Sequence, residues 1–137
     1  MLVDGRGVPL AAAVDGANVH DQKLLAPTLD GIPVERPEPE PYKPQHLCLD
    51  KGYLGEPVER EARKRCYIPH LPVKGGERTT PHHRHGKARR WKVERTHSWV
   101  NRARRLLVRW EKKVANYFGF LHLQFAITAL RTAGVLG

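Results

Sequence analysis

Arg89-Arg90-Trp91-Lys92-Val93-Glu94-Arg95-Thr96-His97-Ser98-Trp99-Val100-Asn101-Arg102-Ala103-Arg104-Arg105-Leu106-Leu107-Val108-Arg109 is the stretch on which the reading of this chain turns. Val93, Val100, Ala103, Leu107, Trp110 and Val114 recur at steps of three, four and seven, which sets them on one side of a 3.6-residue period. The pattern predicts one long amphipathic helix, carried on by a second helical stretch over Lys112–Ala133, so that 88–133 forms the C-terminal helices. The polar side of the first helix is almost wholly cationic. Glu94 is the one acid between Lys87 and Trp110, set among Arg90, Lys92, Arg95 and Arg102. Neighbouring cations favour the charged form of a carboxyl group, and an ionised carboxylate is what a divalent metal needs as a ligand. The alternative is a surface acid paired with Arg90 or Ser98 on a solvated helix.

Outward from this helix the charge is lopsided. The 137-residue chain carries a net charge of +10, with 24 Lys and Arg against 14 Asp and Glu. Residues 1–42 hold three cations against seven acids, so the basic surface is built by the rest of the chain. That balance points to a polyanionic partner, nucleic acid before an anionic membrane surface. The length suits a single domain. Two cysteines, Cys48 and Cys66, make no disulfide framework and fit a reduced, cytoplasmic setting. The start of the chain has no basic region followed by an apolar run, so no signal peptide is expected. The most apolar stretch, Phe118–Leu130, is too short to span a bilayer and carries His122 and Gln124.

Before the basic stretch, strand-like and helix-like runs alternate. Leu2–Asp4 and Val8–Val14 flank Asp4-Gly5-Arg6-Gly7, which has the chemistry of a hairpin turn. Asn18 or Asp21 can cap a helix over 22–29 that Gly31 stops. Five prolines between Pro33 and Pro44 require an extended surface loop. Gln45–Asp50 reads as a short buried strand, Glu56–Lys64 as an amphipathic helix, and Cys66–Leu71 as a second strand that Pro69 limits to an edge or an end. Residues 73–90 form a basic loop rich in Gly and His, and Gly119 is a candidate kink in the last helix. Strands alternating with helices predict an α/β fold with a mixed sheet flanked by helices, and such sheets place their chemistry at the carboxyl ends of parallel strands. Asp50 stands there. Asp50 and Glu94 on rigid elements could hold divalent cations. Two such ions stabilise both oxygens of a phosphoryl displacement, and hard oxygen ligands select Mg²⁺ or Mn²⁺.

These residues resemble those of a known family. Leu49-Asp50-Lys51-Gly52-Tyr53 is similar to the Asp-Lys-Gly-Tyr segment of bacterial insertion-sequence DDE transposases of the insertion-sequence-four and -five-like groups. RRWKVERTHSWVNRARRLLVRWEK resembles their helix bearing the last Glu, and LVDGRGVPLAAAVDGANVHDQKLL resembles the hairpin and helix between their first and second acids. The resemblance covers nearly the whole chain. It implies a ribonuclease H-like fold in which Asp50 is the second catalytic acid and metal ligand and Glu94 the third. It also implies that residues 1–137 are a partial catalytic domain, lacking the strand with the first catalytic Asp; Asp4 and Asp15 occupy hairpin positions. Arg90 fits the Arg four residues before the Glu, whereas Lys87 and Asn101 stand where a Tyr and a Lys would be, with Arg102 adjacent. Lys51, Arg90, Arg95, Arg102 and Arg105 become the expected DNA contacts. The implied partners are insertion-sequence ends and target DNA, with an upstream reading frame or a second copy of the chain, and no membrane.

Other residues admit two readings each. His82, His83 and His85 with Cys48 or Cys66 match no standard zinc spacing and read better as a phosphate-facing loop. Trp91 and Trp99, nearly two turns apart, lie on similar faces and suit packing more than base stacking. His97, one turn from Glu94, reads as a helix-surface group or a water-positioning one. The competing functional reading is a non-catalytic basic DNA-binding remnant that regulates a full transposase.

Overall fold

The computed structural model describes residues 1–71 and 91–136; the basic loop expected over 73–90, with Lys87, Arg90 and the three loop histidines, lies outside them. The elements in order are β1 (Leu2–Val3), β2 (Pro9–Ala11), α1 (Asp21–Asp30), β3 (Gln45–Cys48), a 3₁₀ turn (Lys51–Tyr53), α2 (Glu56–Lys64), β4 (Tyr67–His70), α3 (Trp91–Asn101), α4 (Arg104–Leu107) and α5 (Val114–Thr132). The α/β class holds, but the single mixed sheet does not appear among the described residues. In its place β1 and β2 pair antiparallel, and β3 and β4 separately pair parallel. None of the described helices is long and apolar enough to cross a membrane.

The β3–α2–β4 unit is the crossover that joins parallel neighbours, with Gln45 opposite Tyr67 and Cys48 opposite His70. Gly55 opens α2 with φ 121°, which glycine adopts without strain. Glu56 and Glu59 lie in the first turn and Arg63 and Lys64 in the last, matching the helix dipole at both ends. Val58 and Ala62, one turn apart, are its buried face. They pack with Leu25 and Leu29 of α1 and Leu47 of β3 into one apolar cluster. Gly31 does end α1, but His20 rather than Asn18 or Asp21 occupies the N-cap, and its side chain makes no capping bond.

A second cluster joins Ala12, Val100, Leu106, Leu121 and Phe125. The hairpin bridges the two: Leu2 packs against the first, Met1 and Val14 against the second. The long continuous helix is corrected here. α3 tightens after Asn101 into i→i−3 bonds, Arg102 N–H to Trp99 O at 3.3 Å and Ala103 N–H to Val100 O at 3.1 Å, and Ala103 is extended. The break re-aims the chain so that Leu106 enters the core, while Leu107, Trp110 and Val114, expected on the apolar stripe, stay 60%, 78% and 48% exposed. Val108 is extended again before α5 starts. Within α5 no break occurs at Gly119; Leu121, Phe125 and Thr128 are its buried face, and Leu130 is exposed. The helix ends in a Schellman motif, Val135 N–H to Leu130 O at 2.9 Å and Gly134 N–H to Arg131 O at 3.1 Å, with Gly134 at φ 74°.

Candidate metal and nucleic-acid site

The tight hairpin turn is held from within by Asp4, whose Oδ1 accepts from the backbone N–H groups of Arg6 and Val8, both at 2.8 Å. Its carbonyl groups then face α3. Lys92 Nζ donates to Gly5 O, Arg95 Nη2 to Arg6 O, and the Thr96 hydroxyl to Gly7 O at 2.6 Å. Three consecutive turn carbonyls are thus bonded by side chains from one helix. Thr96 is fully buried, and Gly7 has φ 86° with Arg95 Nη2 only 2.7 Å from where a Cβ would stand. The Arg95 guanidinium also lies over the Trp91 ring at 4.9 Å and the Trp99 ring at 4.7 Å, so the two tryptophans do share a face and bracket the arginine between them.

Glu94 is exposed, two residues after Lys92 and next to Arg95, the two cations that dock on the turn. Asp50 follows β3 as the cap of the 3₁₀ turn, its Oδ1 accepting from Gly52 N–H at 2.9 Å. The next residue of that turn, Lys51, is exposed. Asp50 and Glu94, far apart in sequence, line the same cleft of about 640 Å³, together with Met1, Asp4, Tyr53 and His97. The cleft has residues of β1, α1, β3 and α3 in its walls, and Leu25, Leu29 and Leu47 of the first apolar cluster line it.

The structure adds an acid that the sequence reading used only as a possible cap. A Cβ built on Gly52 would stand 2.9 Å from Asp21 Oδ2 and 3.2 Å from Asp50 Oδ1, so the two carboxylates flank this glycine. Their field reaches the neighbouring groups. Burial pushes the Tyr53 hydroxyl pKa up, and the Asp21 and Asp50 charges push it further. Burial lowers the Met1 ammonium, and the same two carboxylates oppose the shift. Burial lowers the His97 pKa, and the Met1 ammonium lowers it further.

The donor set suits a hard divalent cation. Mg²⁺ keeps several waters and needs one or two carboxylates, and Asp50 and Glu94 offer two on one cleft. Among the described residues no three His, Cys, Asp or Glu side chains cluster at metal-holding spacing. The cations expected at DNA stand in different surroundings. Arg95 is half-buried and donates to the hairpin carbonyl of Arg6. Arg105 pairs with Glu111 at 3.3 Å and lies over the Phe120 ring at 5.1 Å. Arg102 is exposed beside a different groove, between α3 and α5. Arg90 lies outside the described residues.

No solved structure matches the chain. It is 37% identical over 125 residues to a Burkholderia cepacia protein named "Putative transposase for insertion sequence element IS402", a match covering 90% of this chain and 57% of that protein. The chain therefore spans little more than half the length of that relative. Residues 1–129 match the family described as "Transposase DDE domain". With the hairpin, the Asp50 turn and the Glu94 helix all inside that match, the chain belongs to the DDE transposase family.

Proposed function

We propose that residues 1–137 are part of a ribonuclease H-like transposase catalytic domain that cleaves insertion-sequence ends and joins them to target DNA. In this reading Asp50 and Glu94 hold Mg²⁺ or Mn²⁺. When bound, two such ions stabilise the attacking and leaving oxygens of an in-line phosphoryl displacement. The rest falls to the chain's own groups. The hairpin fixes α3, and so Glu94, against the wall that carries Asp50. His97, on the same cleft one turn from Glu94, offers a hydrogen bond there. Lys51 and Arg102 neutralise DNA phosphates, and Arg90 and Arg105 are further phosphate contacts. Water attacks the element end, and the freed 3′-hydroxyl attacks the target.

The observation that supports this reading most is the shared cleft of Asp50 and Glu94. The test is a Mn²⁺ titration followed by NMR. Signals of His97 and Tyr53 should broaden in the parent chain and not in Asp50→Asn or Glu94→Gln. Equal broadening in all three refutes the metal roles. The chain alone should bind DNA and cleave it little, so efficient Mg²⁺-dependent nicking that Glu94→Ala abolishes would contradict the partial-domain reading. The second reading, a non-catalytic DNA-binding regulator, draws support from cations that stand away from the cleft, Arg102 among them. It expects DNA binding indifferent to Asp50→Ala with or without Mg²⁺.

A further inference from the structure

A groove of about 480 Å³ runs between the end of α3 and the last turns of α5, lined by Trp99, Arg102, Gln124, Thr128, Arg131 and Thr132. It shares no lining residue with the Asp50–Glu94 cleft. The helical period explains why. Trp99 and Arg102, the latter one residue past the end of α3, lie three apart and face this groove, whereas Glu94 and His97, three apart, form a stripe on the other side. Buried Thr96 and Val100 separate them on the inner face. α3 is therefore a wall with a carboxylate cleft on one side and this groove on the other.

The groove holds cations and amides but no acid. Arg102 and Arg131 are both exposed, and neither is in an ion pair with another described residue. The other polar groups are mostly occupied. The Thr128 hydroxyl donates to Gln124 O at 2.9 Å and the Thr132 hydroxyl to Thr128 O at 2.8 Å. What faces the groove openly is two guanidinium forks and one side-chain amide, a donor set that matches phosphate oxygens. A helix C-terminus ordinarily repels an anion. Here the Schellman bonds satisfy the Leu130 and Arg131 carbonyls, and Arg131 itself sits in that last turn.

We propose that this groove is a second DNA-backbone site, in which Arg102 and Arg131 clamp phosphates of duplex DNA that runs along the face of α3 opposite the carboxylates. The proposal rests on reading the chain as DNA-acting, but not on the metal roles of Asp50 and Glu94. It makes Arg131, which no sequence motif singled out, a binding residue.

The test is fluorescence anisotropy of the full chain with a labelled duplex across a range of monovalent salt. Each phosphate contact contributes about 0.9 to the slope of log K against log salt. Arg131→Gln should reduce the slope by about 0.9 and weaken binding about eightfold at 0.1 M salt, and with Arg102→Gln about sixtyfold. Arg131→Lys should keep most of the slope. Arg63→Gln, an exposed cation on α2, should change little. The same loss from Arg131→Gln in an Asp50→Asn/Glu94→Gln background supports the groove even where the metal roles fail. Unchanged slope in Arg131→Gln overturns the proposal. So does an equal loss from Arg63→Gln, which would mean diffuse attraction. Tighter, equally arginine-dependent binding to anionic lipid vesicles than to DNA also overturns it.

Discussion

Thr96→Val removes one hydroxyl from the junction on which the Glu94 side of the cleft depends. Valine nearly matches threonine in shape, so no cavity opens and the apolar contacts stay. The loss is the bond to Gly7 O at 2.6 Å, at a site where the Thr96 side chain is fully buried and Gly7 is buried too. Water cannot take the hydroxyl's place, and a buried carbonyl left without a donor costs about 1–3 kcal/mol. We expect about 2 kcal/mol, which at an m-value of about 2 kcal/mol/M moves the urea midpoint down by about 1 M. Thr96→Ser keeps the donor and loses a methyl group, for which about 1 kcal/mol is the expected cost. Urea titration by far-UV circular dichroism, with both variants beside the parent, gives the answer. The order is the discriminating result. A valine variant within about 0.5 kcal/mol of the parent, or a serine variant less stable than the valine one, would show that packing rather than the hydrogen bond holds α3 on the hairpin.

Two further outcomes follow from named contacts. Arg65 bonds both oxygens of Asp30 at 2.8 Å and also Glu61, tying α1 to α2, and these bonds hold both carboxyl pKa values below their usual range. A folded-state pKa below the unfolded one contributes stability that is present above the unfolded value and lost as pH falls through the folded one. Arg65→Met should therefore be clearly destabilised at pH 7, with the difference from the parent shrinking below about pH 4; a gap of constant size across that range in urea titrations would refute the linkage. Gly134 has φ 74° and open space around any added Cβ, so Gly134→Ala should cost about 1 kcal/mol through backbone strain alone, and Gly134→Asn less. Equal thermal midpoints for the alanine variant and the parent would count against the Schellman cap.

Local signals carried the elements before the basic loop. Gly at turns, the Pro-rich interruption and the end charges of α2 were each readable because the cause lies within a few residues of the effect. Asp50 and Glu94 were readable as acids with a metal ligand's chemistry, and the resemblance tied them together, but their shared cleft is a tertiary fact. The continuous helix over 89–109 failed for a different reason. Periodicity assigned the stripe Val93, Val100, Ala103, Leu107, and it has no means of knowing that the chain must turn to bring Leu106 against Leu121 and Phe125. The Gly119 kink failed because exposure makes a helical glycine tolerable where the neighbouring turns are anchored by Leu121 and Phe125. Arg131 was invisible because its partner across the groove, Arg102, stands in the turn after another helix, far away in sequence.

The cations around Glu94 explain why net charge alone misleads about this site. Four basic residues surround that acid in sequence, and a reading from composition treats them as one field gripping DNA. In the fold the three described ones, Lys92, Arg95 and Arg102, separate by what they touch. Lys92 and Arg95 end on backbone carbonyls of the hairpin turn, so their first effect is to hold α3 in place. Arg102 lies beyond the buried stripe, on the other side of the helix. On the proposed function, the cations that dock the helix and the cations assigned to DNA are different residues. Substituting the first kind should lower stability with little change in the salt slope, and substituting the second should do the reverse.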